Sequence, residues 1–193
     1  MKRKVFIVSG IIFVFFCFVS TLVAETRAPL DARKHTEAGK YVTSWEAYEM
    51  WKANPEKIKF IDCRTQEEYV FVGHAPMAYN IPSKVWTGNW NEENKKYSLQ
   101  DNPDFESQVK KKFGQNDTIM VMCRSGHRSA AAVNRLTKTV FTNVFNIVDG
   151  FEGDMINDIE SHFNGKRMKN GWKNSGAPWT YDLDPNLIYS PGK

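Results

Sequence analysis

The chain has 193 residues, 41% of them hydrophobic and 25% charged, enough for one ordinary globular domain and unlike a disordered or collagen-like sequence. Its formal net charge of +4 owes much to Lys2, Arg3 and Lys4; without residues 1–24 it falls to +1, 23 basic against 22 acidic, which gives no basis for nucleic acid or an anionic membrane surface as a partner. The three cysteines, Cys17, Cys63 and Cys123, show no Cys-x-x-Cys and no Cys/His ligand spacing, so nothing supports a structural metal.

The first 24 residues combine a basic start with an apolar run from Val5 to Val23 and end at Ala24. This is the layout of a secretory signal peptide cleaved after Ala24; a run of this length also suits an uncleaved N-terminal anchor. Either way the remainder is expected to be exported, in the periplasm, with membrane contact only if the leader is retained. Residues 25–40 are polar and predict a tether. Thr43 with Glu46 is a capping box opening a helix through Trp51, which Asn54-Pro55 ends. Ile58–Asp62 is a strand. Thr65 and Glu68 repeat the capping-box spacing, predicting a helix over Thr65–Phe71 closed by Gly73. Asn80–Pro82 is a short extended segment. Residues 83–102, polar with Gly88 and several Asn, predict a long loop whose Trp86 and Trp90 suit a rim that contacts an acceptor protein.

A helix follows from Pro103 to Phe113, stopped by Gly114. Thr118–Met122 is continuously apolar, as a strand covered on both faces is. Ser129–Thr139 has helical periodicity, Asn143–Val148 is β-rich, and Phe151–Phe163 predicts a last helix. The tail is rich in Gly, Asn and Pro, with Trp172 and Trp179 to pin it. The expected organisation is a domain over 41–163 with an irregular tail, 164–193, packed on it. Alternating strands and helices predict an α/β fold with a mostly parallel sheet.

One place concentrates the chemistry: an apolar strand, then Cys123, then a short loop, then a helix. Ligands of open α/β sheets bind beyond the carboxyl ends of strands. There a cysteine meets loop N–H groups and the positive end of a helix, both of which favour an anion. Arg124 and Arg128 add positive charge, and Gly126 lets the backbone curl. Such surroundings lower a thiol pKa and expose a thiolate nucleophile.

The segment Cys123-Arg124-Ser125-Gly126-His127-Arg128-Ser129 resembles the active-site loop of the rhodanese family, the thiosulfate sulfurtransferases. Asp62-Cys63-Arg64-Thr65-Gln66-Glu67-Glu68-Tyr69 is similar to that family's Asp-x-Arg-x-x-x-Glu-Tyr segment. Gly73-His74-Ala75-Pro76-Met77-Ala78-Tyr79-Asn80-Ile81-Pro82 is similar to its Gly-His-Ile-Pro-Gly-Ala-x-Asn-Ile-Pro, and Asp149-Gly150-Phe151 to its Gly-Gly-Phe. The resemblance covers residues 41–160. It departs at Met77, where glycine is usual, and at Cys63, where a small apolar residue is usual.

The resemblance implies a central, mostly parallel five-stranded sheet flanked by helices. It also implies a sulfurtransferase in which Cys123 takes sulfane sulfur from a donor such as thiosulfate and passes it, as a persulfide, to a thiol, cyanide or a protein acceptor. Arg124, Ser125, Gly126, His127, Arg128 and Ser129 would form the substrate cradle, and Asp62 and Arg64 would orient the loop from behind, with no metal or organic cofactor. Arg128 is either a brace or a substrate contact, and Arg124 and His127 either act or are solvated. His74 suits packing better than chemistry. Cys63 is either a small core residue or a partner that resolves the persulfide or forms a disulfide. A sulfur carrier or interaction module with incidental thiosulfate activity is the alternative. A phosphatase is disfavoured, because related phosphate-ester loops are Cys-x5-Arg, one residue longer than Cys123 to Arg128.

Overall fold

In the computed structural model, which describes Pro29 and residues 31–190, chain order begins with a 3-10 turn over Ala32–Lys34, β1 (Tyr41–Val42), α1 (Ser44–Ala53) and β2 (Ile58–Asp62). α2 (Gln66–Val72), β3 (Ala78–Asn80), β4 (Lys84–Asn91), β5 (Lys96–Asp101) and α3 (Phe105–Lys112) follow. Then come β6 (Thr118–Met122), α4 (His127–Thr137), β7 (Val144–Ile147), β8 (Asp154–Met155) and β9 (Arg167–Lys169). The five-stranded sheet runs β1-β7-β6-β2-β3, and every pairing in it is parallel.

Alternation along the two central strands sorts their side chains into two cores. Ile61, Ile119 and Val121 join Phe105 and Val109 of α3 and Val133 and Leu136 of α4. Phe60, Met120 and Met122 face the other way, onto Ala47 of α1 and Trp172 of the tail. β6 is covered on both sides, which explains its unbroken apolar run. Both capping boxes form: Thr43 with Glu46 opens α1, and Thr65 with Glu68 opens α2.

Three expectations need correction. Residues 83–102 are not a loop but an antiparallel hairpin of β4 and β5, with a register shift between Trp86 and Trp90. Its residues are mostly exposed on both faces, so no burial-driven alternation marks it in the sequence. The helix expected over Phe151–Phe163 does not form. Gly153 has φ +85°, and a side chain there would meet the Asn170 carbonyl oxygen at 2.2 Å. Beyond it, polar side chains capture the backbone: Asp158 Oδ1 accepts from the Glu160 N–H, and Asn164 Oδ1 from the Asp158 N–H. Ile159 and Phe163, which suggest helical periodicity, are exposed. Third, residues 31–40 do not dangle as a tether. The 3-10 turn packs on α4, and the buried Lys34 ammonium reaches the Asp154 carboxylate at 2.7 Å. The proposed leader, 1–24, lies outside the described residues; among those described, no helix is long and apolar enough to cross a membrane.

Candidate functional site

Cys123 sits one residue past the carboxyl end of β6, at the start of the turn that leads into α4. Cys123 is 1% exposed yet lines a cavity of about 420 Å³. Two glycines permit the turn. Gly126 has φ +91°, and a Cβ there would lie 2.2 Å from the Val148 carbonyl oxygen; Gly150 has φ +63°, and a Cβ there would strike the Ser125 nitrogen at 2.6 Å.

The loop's carbonyls are held from behind. Phe151 N–H donates to the Cys123 carbonyl at 2.7 Å and Glu152 N–H to the Arg124 carbonyl at 2.9 Å. Asn146 Nδ2 donates to the Gly126 carbonyl at 3.1 Å. In a trans peptide the N–H points opposite to the C=O, so the amides of Arg124, Ser125 and His127 turn away from these anchors, and all three residues line the cavity. The Ser129 amide itself donates to the Cys123 sulfur. Ser129 Oγ lies 3.4 Å from that sulfur and 2.7 Å from Asn146 Oδ1, so its one proton serves either.

Burial alone would push the Cys123 thiol up. The neighbouring Cys63 thiol, the Arg128 guanidinium and the Ser129 donors outweigh that and hold it well below its ordinary value. Cys63 moves oppositely: burial first, then the neighbouring Cys123 sulfur, push it well above.

Arg128 makes a two-pronged pair with Glu68, both contacts 2.6 Å. Glu68 also accepts from the Thr65 N–H at 3.1 Å. Arg128 is thus a brace that also lends positive charge to the sulfur, and its guanidinium is already engaged. The cations at the mouth are Arg124 and Lys96, neither in an ion pair among the described residues. His127 Nε2 contacts Asp31 Oδ2 at 2.9 Å, fastening the N-terminal segment to α4. Ser125 is buried in the loop.

Asp62 and Arg64 pair at 2.6 Å with no exposure. Arg64 also donates to the Gly73 carbonyl at 2.7 Å and stacks over the Phe151 ring at 4.1 Å, the residue whose amide holds Cys123. His74 is buried and stacked on Tyr69, 3.8 Å between centroids. Trp86, Tyr97 and Leu99 of the hairpin form the apolar wall of the cavity, whereas Trp90 lies off it.

Sequence reasoning missed three contributors. Glu68 is visible as a capping residue and as the Glu of the Asp-x-Arg-x-x-x-Glu-Tyr segment, but its pairing with Arg128 depends on α2 meeting α4. Asn146 is fully buried, and the available signal was a lone polar residue inside the apolar run Val144–Val148. Lys96 belongs to a hairpin that was not recognised.

A family model described as the Rhodanese-like domain matches residues 46–155. Thiosulfate sulfurtransferase 16, chloroplastic, of Arabidopsis thaliana is 40% identical over 93 residues, 48% of this chain and 70% of that protein. The Rickettsia conorii protein RC0915 is 34% identical over 144 residues, 72% of this chain and 96% of that one. The crystal structure of Rv0390 from M. tuberculosis superposes with TM-score 0.56 at 26% identity, covering 73% of this chain and 96% of that one.

Proposed function

The chain belongs to the rhodanese-like domain family, and from that premise we propose that it is a sulfurtransferase working through a persulfide on Cys123. The carrying observation is a buried thiol held well below its ordinary pKa in a cavity lined by Arg124, Ser125, His127 and Arg128. A thiolate there attacks the outer sulfur of a thiosulfate-like dianion. The S–S bond breaks, sulfite leaves with its electron pair, and Cys123 keeps the outer sulfur as a persulfide anion. Arg124 and Lys96 draw the donor in, and the loop amides stabilise the negative persulfide. A thiol, cyanide or protein acceptor then removes the outer sulfur and returns the thiolate. Among the acceptors, the wall of Trp86, Tyr97 and Leu99 favours one with apolar surface.

The relative named for thiosulfate sulfurtransferase activity and the four-residue gap between Cys123 and Arg128 favour sulfur over phosphoryl chemistry. The leader supports an exported, periplasmic protein. Sulfite release on thiosulfate exposure tests the reading: about one equivalent per chain, with the outer sulfur held on Cys123 as a ~32 Da adduct or already passed on, and no sulfite from Cys123→Ser, is the expected result. No sulfite together with robust hydrolysis of a phosphate ester would overturn it.

A further inference from the structure

Two described cysteines meet in this site, and only one is needed for the transfer above. β2 and β6 pair with Asp62 opposite Met122. The Cys63 N–H donates to the Met122 carbonyl at 2.8 Å, so the ladder continues one residue past both strands and sets Cys63 opposite Cys123. Parallel neighbours lie ~4.8 Å apart and point opposite side chains to the same face. A disulfide spans Cα separations of about 4.4–6.8 Å. Both thiols are free, lie in the same core beside Ile61 and Val121, and shift each other's acidity in opposite directions. Cys123 opens to the cavity, while Cys63 is sealed at 0% exposure. Cys63 therefore meets only what Cys123 brings to it.

From this juxtaposition we infer that Cys63 resolves the Cys123 persulfide, releasing hydrosulfide without any external acceptor. The step rests on the persulfide proposed above. An acceptor from the cavity reaches the outer sulfur, but Cys63 lies beside the inner one. The Cys63 sulfur attacks Cys123 Sγ, the bond from Sγ to the outer sulfur breaks, and that sulfur departs with the electron pair. The Cys63 proton goes to the departing sulfur, giving HS⁻. The two thiols are oxidised to a Cys63–Cys123 disulfide, and the sulfane sulfur is reduced by the same two electrons. Together with loading, one thiosulfate becomes sulfite and sulfide. A dithiol reductant resets the pair. While Cys123 is a thiolate, Cys63 keeps its proton; loading moves the negative charge one atom outward and frees Cys63 to react.

The test uses the reduced full chain under anaerobic conditions, stoichiometric thiosulfate and no acceptor. Wild type is expected to release about one equivalent of sulfide and to end ~2 Da lighter, with a Cys63–Cys123 peptide in a non-reducing digest. Cys63→Ser and Cys63→Val are expected to keep a stable ~32 Da adduct and release no sulfide. A wild type that keeps the adduct, with Cys63 still open to alkylation after denaturation, overturns the inference and leaves the persulfide intact. No adduct in either variant and no sulfide from wild type removes both readings. The wild-type arm decides the matter even if a variant fails to fold.

Discussion

Cys123 pits burial against its neighbours, and the balance should be visible in its reactivity. Because Cys63, Arg128 and Ser129 hold the thiol well below its ordinary value, the thiolate persists to lower pH than that of an ordinary cysteine. Alkylation by iodoacetamide should therefore slow less from pH 8 to pH 6 than the roughly tenfold per pH unit of an ordinary cysteine with pKa ~8.5. Arg128→Met removes a cation that lowers the thiol, so the titration limb should move upward and alkylation at pH 7 should fall by about tenfold. A profile left unchanged by the substitution would put the acidity elsewhere. Cys123 and its following residues are legible in the sequence because a nucleophile, two arginines and a glycine occur within six positions. The pairing of Arg128 with Glu68 is not legible, since it joins residues sixty positions apart.

The elements around the loop divide by how they are stabilised. α4 is legible because burial imposes a period on its side chains, and β2, β6 and β7 because burial makes them short apolar or β-rich runs. The β4–β5 hairpin is held by cross-strand contacts: Trp86 and Tyr97 at 4.9 Å, Trp90 and Tyr97 at 5.3 Å between ring centroids. With water on most of its surface it carries no such period. Its position predicts a division of labour. Replacing Trp86 and Tyr97 together with alanine should leave adduct formation from thiosulfate and turnover with cyanide within about twofold, while KM for a bulky aromatic thiol rises about tenfold through lost ring contact. Steady-state kinetics with the two acceptors in parallel checks this; an equal effect on both would make the hairpin merely structural.

At the scale of the whole molecule, both ends of the described chain return to the site. Lys34 reaches Asp154, Asp31 reaches His127, and Trp172 is fully buried among α1 and the sheet, its ring 5.2 Å from Phe60. The Trp172 N–H donates to the Gly150 carbonyl at 2.8 Å. Trp172→Ala should cost about 3–5 kcal/mol, read as a lower denaturation midpoint in urea; a change under about 1 kcal/mol would mean that the tail sits loosely. The polar look of residues 25–40 misleads because Lys34 finds its counter-charge 120 positions away, a relation that no local window contains.

The backing of the loop by Phe151, Glu152 and, behind them, Trp172 has a consequence for synthesis. A ribosome that has just emitted Val148 has already spelled out the cysteine, both arginines and the glycine turn, but has not yet supplied the amides that clamp the Cys123 and Arg124 carbonyls. The turn therefore waits on residues made after it: its carbonyls gain their backing only once Phe151 and Glu152 have joined the growing polypeptide.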